Sequence, residues 1–173
     1  MTLFGCAIKT EFGYAAVRFN EREEITGFLL PSSTQKSYDF LAWSEHRSFP
    51  RLEKAVIGYF TGKKYDFCKF SVTLGDSSPF FQKVYASLRQ VKYGATITYK
   101  ELAKKTGNPS AVRAVGSAMA HNPIPLIIPC HRVIQSNGGL GGFSAGGGVD
   151  LKKMMLDLEH PSVPSTADKK KVG

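Results

Sequence analysis

Three short runs near the start of the chain, 3–8, 14–19 and 25–30, are apolar or alternate apolar with polar and are separated by polar turns. That pattern predicts an antiparallel meander. Ser48 and Pro50 then open a helical repeat with Leu52, Val56, Tyr59 and Phe60 on one face, closed by Gly62. Ser78 as cap and Pro79 at the first helical position introduce an amphipathic helix carrying Phe81, Val84, Leu88 and Val91, and Gly94 ends it. A second helix at 99–106, with Thr98 as its cap, and a third at 110–121 flank Gly107-Asn108-Pro109. Two short helices around a glycine-containing turn predict a helix-turn-helix. Leu126-Ile127-Ile128 between Pro125 and Pro129 reads as a buried strand-like segment, and a last helix at 149–159 is expected to bury Leu151, Met154, Met155 and Leu158. The pattern divides the chain into a small α/β supporting unit, 1–75, and a mainly helical unit, 78–160. Residues 161–173 are polar, contain proline and hold Lys169-Lys170-Lys171, which predicts a disordered basic tail.

Composition agrees with a globular protein: 173 residues, 42% hydrophobic, enough for one ordinary domain or two small ones. No window has the apolar length of a membrane span, and Met1-Thr2-Leu3 does not open a signal peptide, so an intracellular protein is expected. Cys6, Cys68 and Cys130 are odd in number and far apart, with no Cys-x-x-Cys pair. A disulfide framework and a zinc knuckle are therefore not expected, and Cys6 and Cys68 read better as buried free thiols than as metal ligands with His46. Net charge is +9, and between Pro79 and Arg132 eight basic residues face one acid, Glu101. A Lys-rich surface often serves solubility alone, but this bias overlaps the helix-turn-helix and points to an anionic partner.

The candidate chemistry sits at Pro129-Cys130-His131-Arg132. Pro129 stops the apolar run, so Cys130 is held where the chain leaves the core, with two potentially cationic neighbours expected to favour its thiolate. The third helix is built of small residues (Ala111, Ala114, Gly116, Ser117, Ala118, Ala120), with Arg113 as its one long cation. Such a helix packs closely against neighbours or lets its backbone enter a DNA groove; in the second case few groups reach base edges and sequence specificity is weak. The glycine-rich loop 137–148 lacks the lysine of a phosphate-binding loop, and Leu140 and Phe143 argue that it packs, with its backbone close to a flat ligand.

The run Pro129-Cys130-His131-Arg132-Val133, preceded by Asn122-Pro123-Ile124-Pro125, resembles the active-site signature of the O6-alkylguanine-DNA alkyltransferases, the methylated-DNA–protein-cysteine methyltransferases. The likeness extends upstream through Ile97-Thr98-Tyr99 and Gly107-Asn108-Pro109 to Arg113-Ala114-Val115-Gly116, and downstream to Gly141, Ser144 and Glu159. It covers essentially all of 79–160; the N-terminal half matches in outline only. The resemblance implies a ribonuclease-H-like α/β unit and a winged-helix-like DNA-binding unit. It implies direct-reversal DNA repair by a monomer acting on double-stranded DNA that carries O6-alkylguanine, with no cofactor, metal or membrane. The compartment would be the cytoplasm of a prokaryote or the nucleus of a eukaryote.

By the same resemblance, Cys130 is the nucleophile, His131 its base through a water, and Glu159 the residue that orients and charges the imidazole. Tyr99 supplies a proton or hydrogen bond to the leaving guanine and rotates the target phosphate, and Asn122 fixes the turn beside the thiolate. Arg113 fills the space left by the flipped base, on a helix whose Ala111, Val112, Ala114 and Gly116 face DNA. Pro125, Gly141, Phe143, Ser144 and Ala145 form the pocket, with the Ser144 amide on O6 and the carbonyls of Cys130 and Val133 on the guanine amine. Arg132 is expected to be structural. Phe143 and Ala145 depart from the tyrosine and glycine of some members, which bears on the size of alkyl group accepted.

Three other readings differ in what they explain. A lesion-binding module that only resembles the alkyltransferases lacks the cysteine, which Cys130 contradicts. A cysteine hydrolase needs a separate partner histidine with a recognisable motif, and none is present. A plain helix-turn-helix regulator leaves the Pro129–Val133 signature and Glu159 without a purpose.

Overall fold

A computed structural model describes residues 2–32, 34–42 and 44–160. The expected tail at 161–173 lies outside them. Strands β1 (Phe4–Thr10), β2 (Gly13–Phe19) and β3 (Ile25–Ser32) form the expected antiparallel meander. The sheet is nevertheless mixed, because a two-residue strand, β4 (Glu45–His46), adds to β1 in parallel and gives the order β3-β2-β1-β4. Between them runs α1 (Thr34–Leu41), for which the sequence showed no clear period. β4 is too short to carry an alternation, and α1 too short for a strong apolar stripe.

Helix α2 (Pro50–Phe60) packs on the sheet and buries Leu52, Val56, Tyr59 and Phe60 as the period predicts. Its start is held by Glu53, which accepts from the Phe49 amide at 2.7 Å and the Ser48 hydroxyl at 2.8 Å. The second half begins with α3 (Pro79–Arg89), capped by Ser78, whose hydroxyl accepts from the Phe81 amide at 3.2 Å. Contrary to the expected stop at Gly94, this helix ends at Arg89, and Val91 is buried from the turn that follows. A capping box of Thr98 and Glu101 starts α4 (Tyr99–Lys105), and α5 (Val112–Ala120) follows the Gly107 turn. The segment 124–128 is buried as expected, but it is a turn and not a strand: Ile128 donates to the Ile124 carbonyl at 2.9 Å and Leu126 takes φ +75°. An apolar run alone cannot separate these alternatives.

Beyond a 3-10 turn at Cys130–Arg132, β6 (Val133–Ile134) pairs in parallel with β5 (Ile97–Thr98). This ties the start of α4 to the chain leaving the cysteine. Helix α6 (Gly148–Glu159) closes the fold. Its fully buried face is Lys152, Met155 and Glu159, whereas Leu151, Met154 and Leu158 are half-buried. Two charged residues turned inward imply partners in the core.

Candidate active site

Asn122 follows α5 and staples the turn that delivers the cysteine. Its Oδ1 accepts from the Ile124 amide at 3.0 Å and its Nδ2 donates to the Ile128 carbonyl at 2.8 Å. The same carboxamide favours the ionised form of the Cys130 thiol. Cys130 is 5% exposed and opens the 3-10 turn, its amide donating to Ile128 at 2.8 Å.

The next two residues are buried in the interior. His131 Nε2 lies 2.7 Å from Glu159 Oε1, and Arg132 grips the same carboxylate, Nε to Oε2 and Nη2 to Oε1 both at 2.9 Å. Arg132 Nη1 also donates to the Val91 carbonyl at 2.6 Å. The Gly94 amide donates to Oε2 and the Tyr59 hydroxyl to Oε1, both at 2.9 Å. Burial would raise the Glu159 pKa, but the hydrogen bonds and charges of His131 and Arg132 outweigh it and bring the carboxyl down to about 2.

This geometry corrects the expected origin of the thiol's reactivity. Arg132 is committed to Glu159 and Val91, so it does not activate Cys130. Burial pushes the Cys130 thiol up, beyond what the Asn122 hydrogen bond and the charge of Lys152 take back. The resting sulfur is a thiol. Burial also pulls the His131 pKa down, outweighing Glu159, with Arg132 and Lys152 acting in the same direction. The imidazole is therefore neutral, with Nε2–H donated to Glu159. Its buried Nδ1 has no partner among the described residues and carries the lone pair of a base.

Two cavities meet at Cys130. The larger, about 660 Å³, is walled by Tyr99, Gly116, Met119, Gly141, Phe143 and Ser144. The smaller, about 250 Å³, lies toward the sheet and is walled by Phe28, Leu30, Pro125, Ser144 and Ala145. Val133 is fully buried and lines neither; its carbonyl accepts from Lys152 Nζ at 2.7 Å. Gly141, with φ +70°, lets the loop pass Tyr99: a Cβ there would lie 3.2 Å from the phenol oxygen. Burial, then the nearby Cys130, raise the Tyr99 pKa, so the hydroxyl keeps its proton. On α5, Val112 and Gly116 line the larger cavity and Arg113 is exposed, while Ala114 and the preceding Ala111 lie outside both cavities. A Cβ added at Gly116 would meet nothing within 4 Å, so internal packing does not demand a small residue there.

Residues 79–161 match the family model for the DNA-binding domain of 6-O-methylguanine DNA methyltransferase. A methylated-DNA–protein-cysteine methyltransferase of Metallosphaera sedula is 45% identical over 115 residues, covering 66% of this chain and 70% of that one. The constitutive methylated-DNA–protein-cysteine methyltransferase of Bacillus subtilis is 35% identical over 152 residues, covering 82% and 87%. The chain belongs to this family. Its fold agrees: a crystal structure of Mycobacterium tuberculosis OGT in complex with DNA superposes with a TM-score of 0.75 at 29% identity, covering 91% of this chain and 93% of that one.

Beside the residues expected from membership of the methylated-DNA–protein-cysteine methyltransferases, the site holds two that the sequence pattern does not single out. Lys152 is fully buried and donates to the carbonyls of Val133 and, at 2.5 Å, Leu140, which pins the glycine-rich loop to β6. Its signal was a lysine interrupting an otherwise apolar helical face. The helical period places Tyr59 in the core, and the polar hydroxyl of a tyrosine there is its only signal in the sequence. Cys6 is buried beside Glu53 at 3.6 Å as expected, whereas Cys68, expected to be buried, is exposed and donates to the Arg89 carbonyl at 2.6 Å. Burial, then Glu53, push the Cys6 thiol up to about 12.

The carboxylate cluster makes a pH prediction. Because the Glu159 pKa falls from 4.5 to about 2 on folding, the unfolded chain binds the proton more tightly. The stabilisation is complete above about pH 4.5 and is lost as pH falls toward 2, amounting to about 2 kcal/mol by about pH 3. Carbon-13 titration of the Glu159 carboxyl is expected to find it ionised at about pH 3.5. A midpoint at or above the ordinary carboxylate value would contradict the pairing.

Proposed function

We propose that this protein repairs DNA by direct reversal of damage, flipping O6-alkylguanine out of the duplex and moving the alkyl group irreversibly to Cys130. The observation that carries this reading is the Cys130 thiol at the meeting point of two cavities, with the neutral His131 and its carboxylate behind it. His131 Nδ1 takes the thiol proton through a water, and Glu159 stabilises the imidazolium that results. Cys130 Sγ attacks the alkyl carbon as the bond from that carbon to guanine O6 breaks. The electron pair goes to the guanine, which Tyr99 neutralises with its proton or hydrogen bond. The product is a thioether, so each molecule acts once.

Asn122 holds the turn and the sulfur in register for this displacement. Pro125, Gly141, Phe143, Ser144 and Ala145 would enclose the base and its alkyl group. Val133, bonded to Lys152, would offer its carbonyl's second lone pair to the guanine amine. DNA would lie along α5, where Ala111, Val112, Ala114 and Gly116 allow close approach and Arg113 enters the stack. The open space at Gly116 supports that placement. The protein would act as a monomer without cofactor or metal, inside the cell, with 1–75 as a ribonuclease-H-like supporting unit and 78–160 as a winged-helix-like unit. Among the described residues no helix is long and apolar enough to cross a membrane.

Incubation with methylated duplex followed by intact-mass and peptide analysis tests the reaction. One methyl group is expected on the peptide containing Cys130, and none on the Cys130→Ala variant, which still binds the duplex. Methyl transfer to that variant would show that another residue is the acceptor. The role of Arg113 is tested by Arg113→Ala, expected to slow transfer from duplex about tenfold or more while leaving the reaction with free O6-benzylguanine within about twofold. Equal losses on both substrates would remove Arg113 from base flipping.

A further inference from the structure

We propose that Tyr59, on α2 of the N-terminal unit, is a positioning residue for alkyl transfer: its hydroxyl, through Glu159, orients the His131 imidazole and sets how readily it takes a proton. The inference rests on His131 being the base for Cys130. Tyr59 lies 72 residues before His131 and 100 before Glu159, yet its oxygen is 2.9 Å from Glu159 Oε1 and 3.3 Å from His131 Nε2. The ring is fully buried and meets the imidazole edge-on, with centroids 6.3 Å apart and planes at 67°.

Packing alone does not account for the hydroxyl. Tyr59 sits in an aromatic cluster, 5.1 Å from the Phe60 ring, 5.9 Å from Phe67 and 6.1 Å from Tyr93. Phenylalanine would fill that space, and a buried phenol must find an acceptor. The acceptor is Glu159 Oε1: Nε2 already donates its own proton to that oxygen, and the Met155 carbonyl is farther away at 3.4 Å. Oε1 thus receives donors from α2, from His131 and from Arg132, while Oε2 receives Arg132 and the Gly94 amide. Five donors fix the carboxylate, and the one from Tyr59 arrives from outside the DNA-binding half of the chain.

The consequence is electrostatic as well as geometric. Each donor on Oε1 disperses carboxylate charge and weakens its pull on the imidazole proton. The groups around His131 are Tyr59 from α2, Tyr93 from the turn after α3, Cys130 and Arg132 from its own turn, and Lys152 and Glu159 from α6. Removing the Tyr59 hydroxyl leaves Glu159 more basic, so His131 is more easily protonated before the thiol releases its proton. Only neutral His131 can act as base, so the acid limb of the pH–rate curve moves to higher pH.

The test is single-turnover methyl transfer from methylated duplex by the wild type and Tyr59→Phe between about pH 5 and 9, with thermal unfolding measured alongside. The variant is expected to be several-fold slower near pH 6 and within about twofold of wild type near pH 8. Substituting 3-fluorotyrosine at position 59, a stronger donor of the same shape, is expected to move the acid limb the other way. A uniform rate loss at all pH values, or a lowered melting temperature with an unchanged pH profile, would reduce Tyr59 to a packing role and overturn the inference. Absence of methyl transfer by the wild type would instead overturn the reading of Cys130 and His131 on which it stands.

Discussion

One buried carboxylate holds this molecule's working parts together. Glu159 ends α6 with 5% of its surface exposed, and removing such a charge from water costs several kcal/mol unless partners replace the lost hydration. Here the replacement comes from α2 through Tyr59, from the turn after α3 through Gly94, and from the cysteine turn through His131 and Arg132. A single anion therefore sets the relative positions of four segments distant in sequence. Losing any one of these donors leaves charge unsatisfied in the interior, so the cluster tolerates little displacement.

The arrangement also decides how the sulfur becomes reactive. A permanently ionised Cys130 would need a dedicated cation, and the adjacent Arg132 is turned to Glu159 instead. Lys152 is the cation whose charge favours the thiolate, and burial outweighs it. The thiol is thus protonated at rest and depends on a neutral imidazole whose Nδ1 is unpartnered among the described residues. Reactivity that waits for proton transfer suits a protein whose one nucleophile is used once, because a standing thiolate would be exposed to oxidation and to unrelated electrophiles.

Local chemistry was legible in the sequence. The Thr98 and Glu101 box, the Ser78 cap and the Gly107 turn placed α3, α4 and α5, and the residues around Cys130 pointed to the family. What escaped depends on contacts across the chain. The parallel pairing of β4 needs two residues only, and the bend at Leu126 looks like a strand in an apolar run. On α6 the apolar positions suggested one buried face, while the fully buried residues are Lys152, Met155 and Glu159, because the core supplies carbonyls and cations for charged ends to meet. The role of Tyr59 is hidden for the same reason: its partner lies 100 residues away.

The most direct measurement of the account is the protonation state of His131 in the resting protein, read from side-chain nitrogen-15 shifts at neutral pH. A neutral ring protonated at Nε2, with Cys130 still a thiol, is the predicted result. An imidazolium beside a thiolate would contradict it, and with it the claim that burial outweighs the pull of Glu159 and keeps the base neutral until the transfer begins.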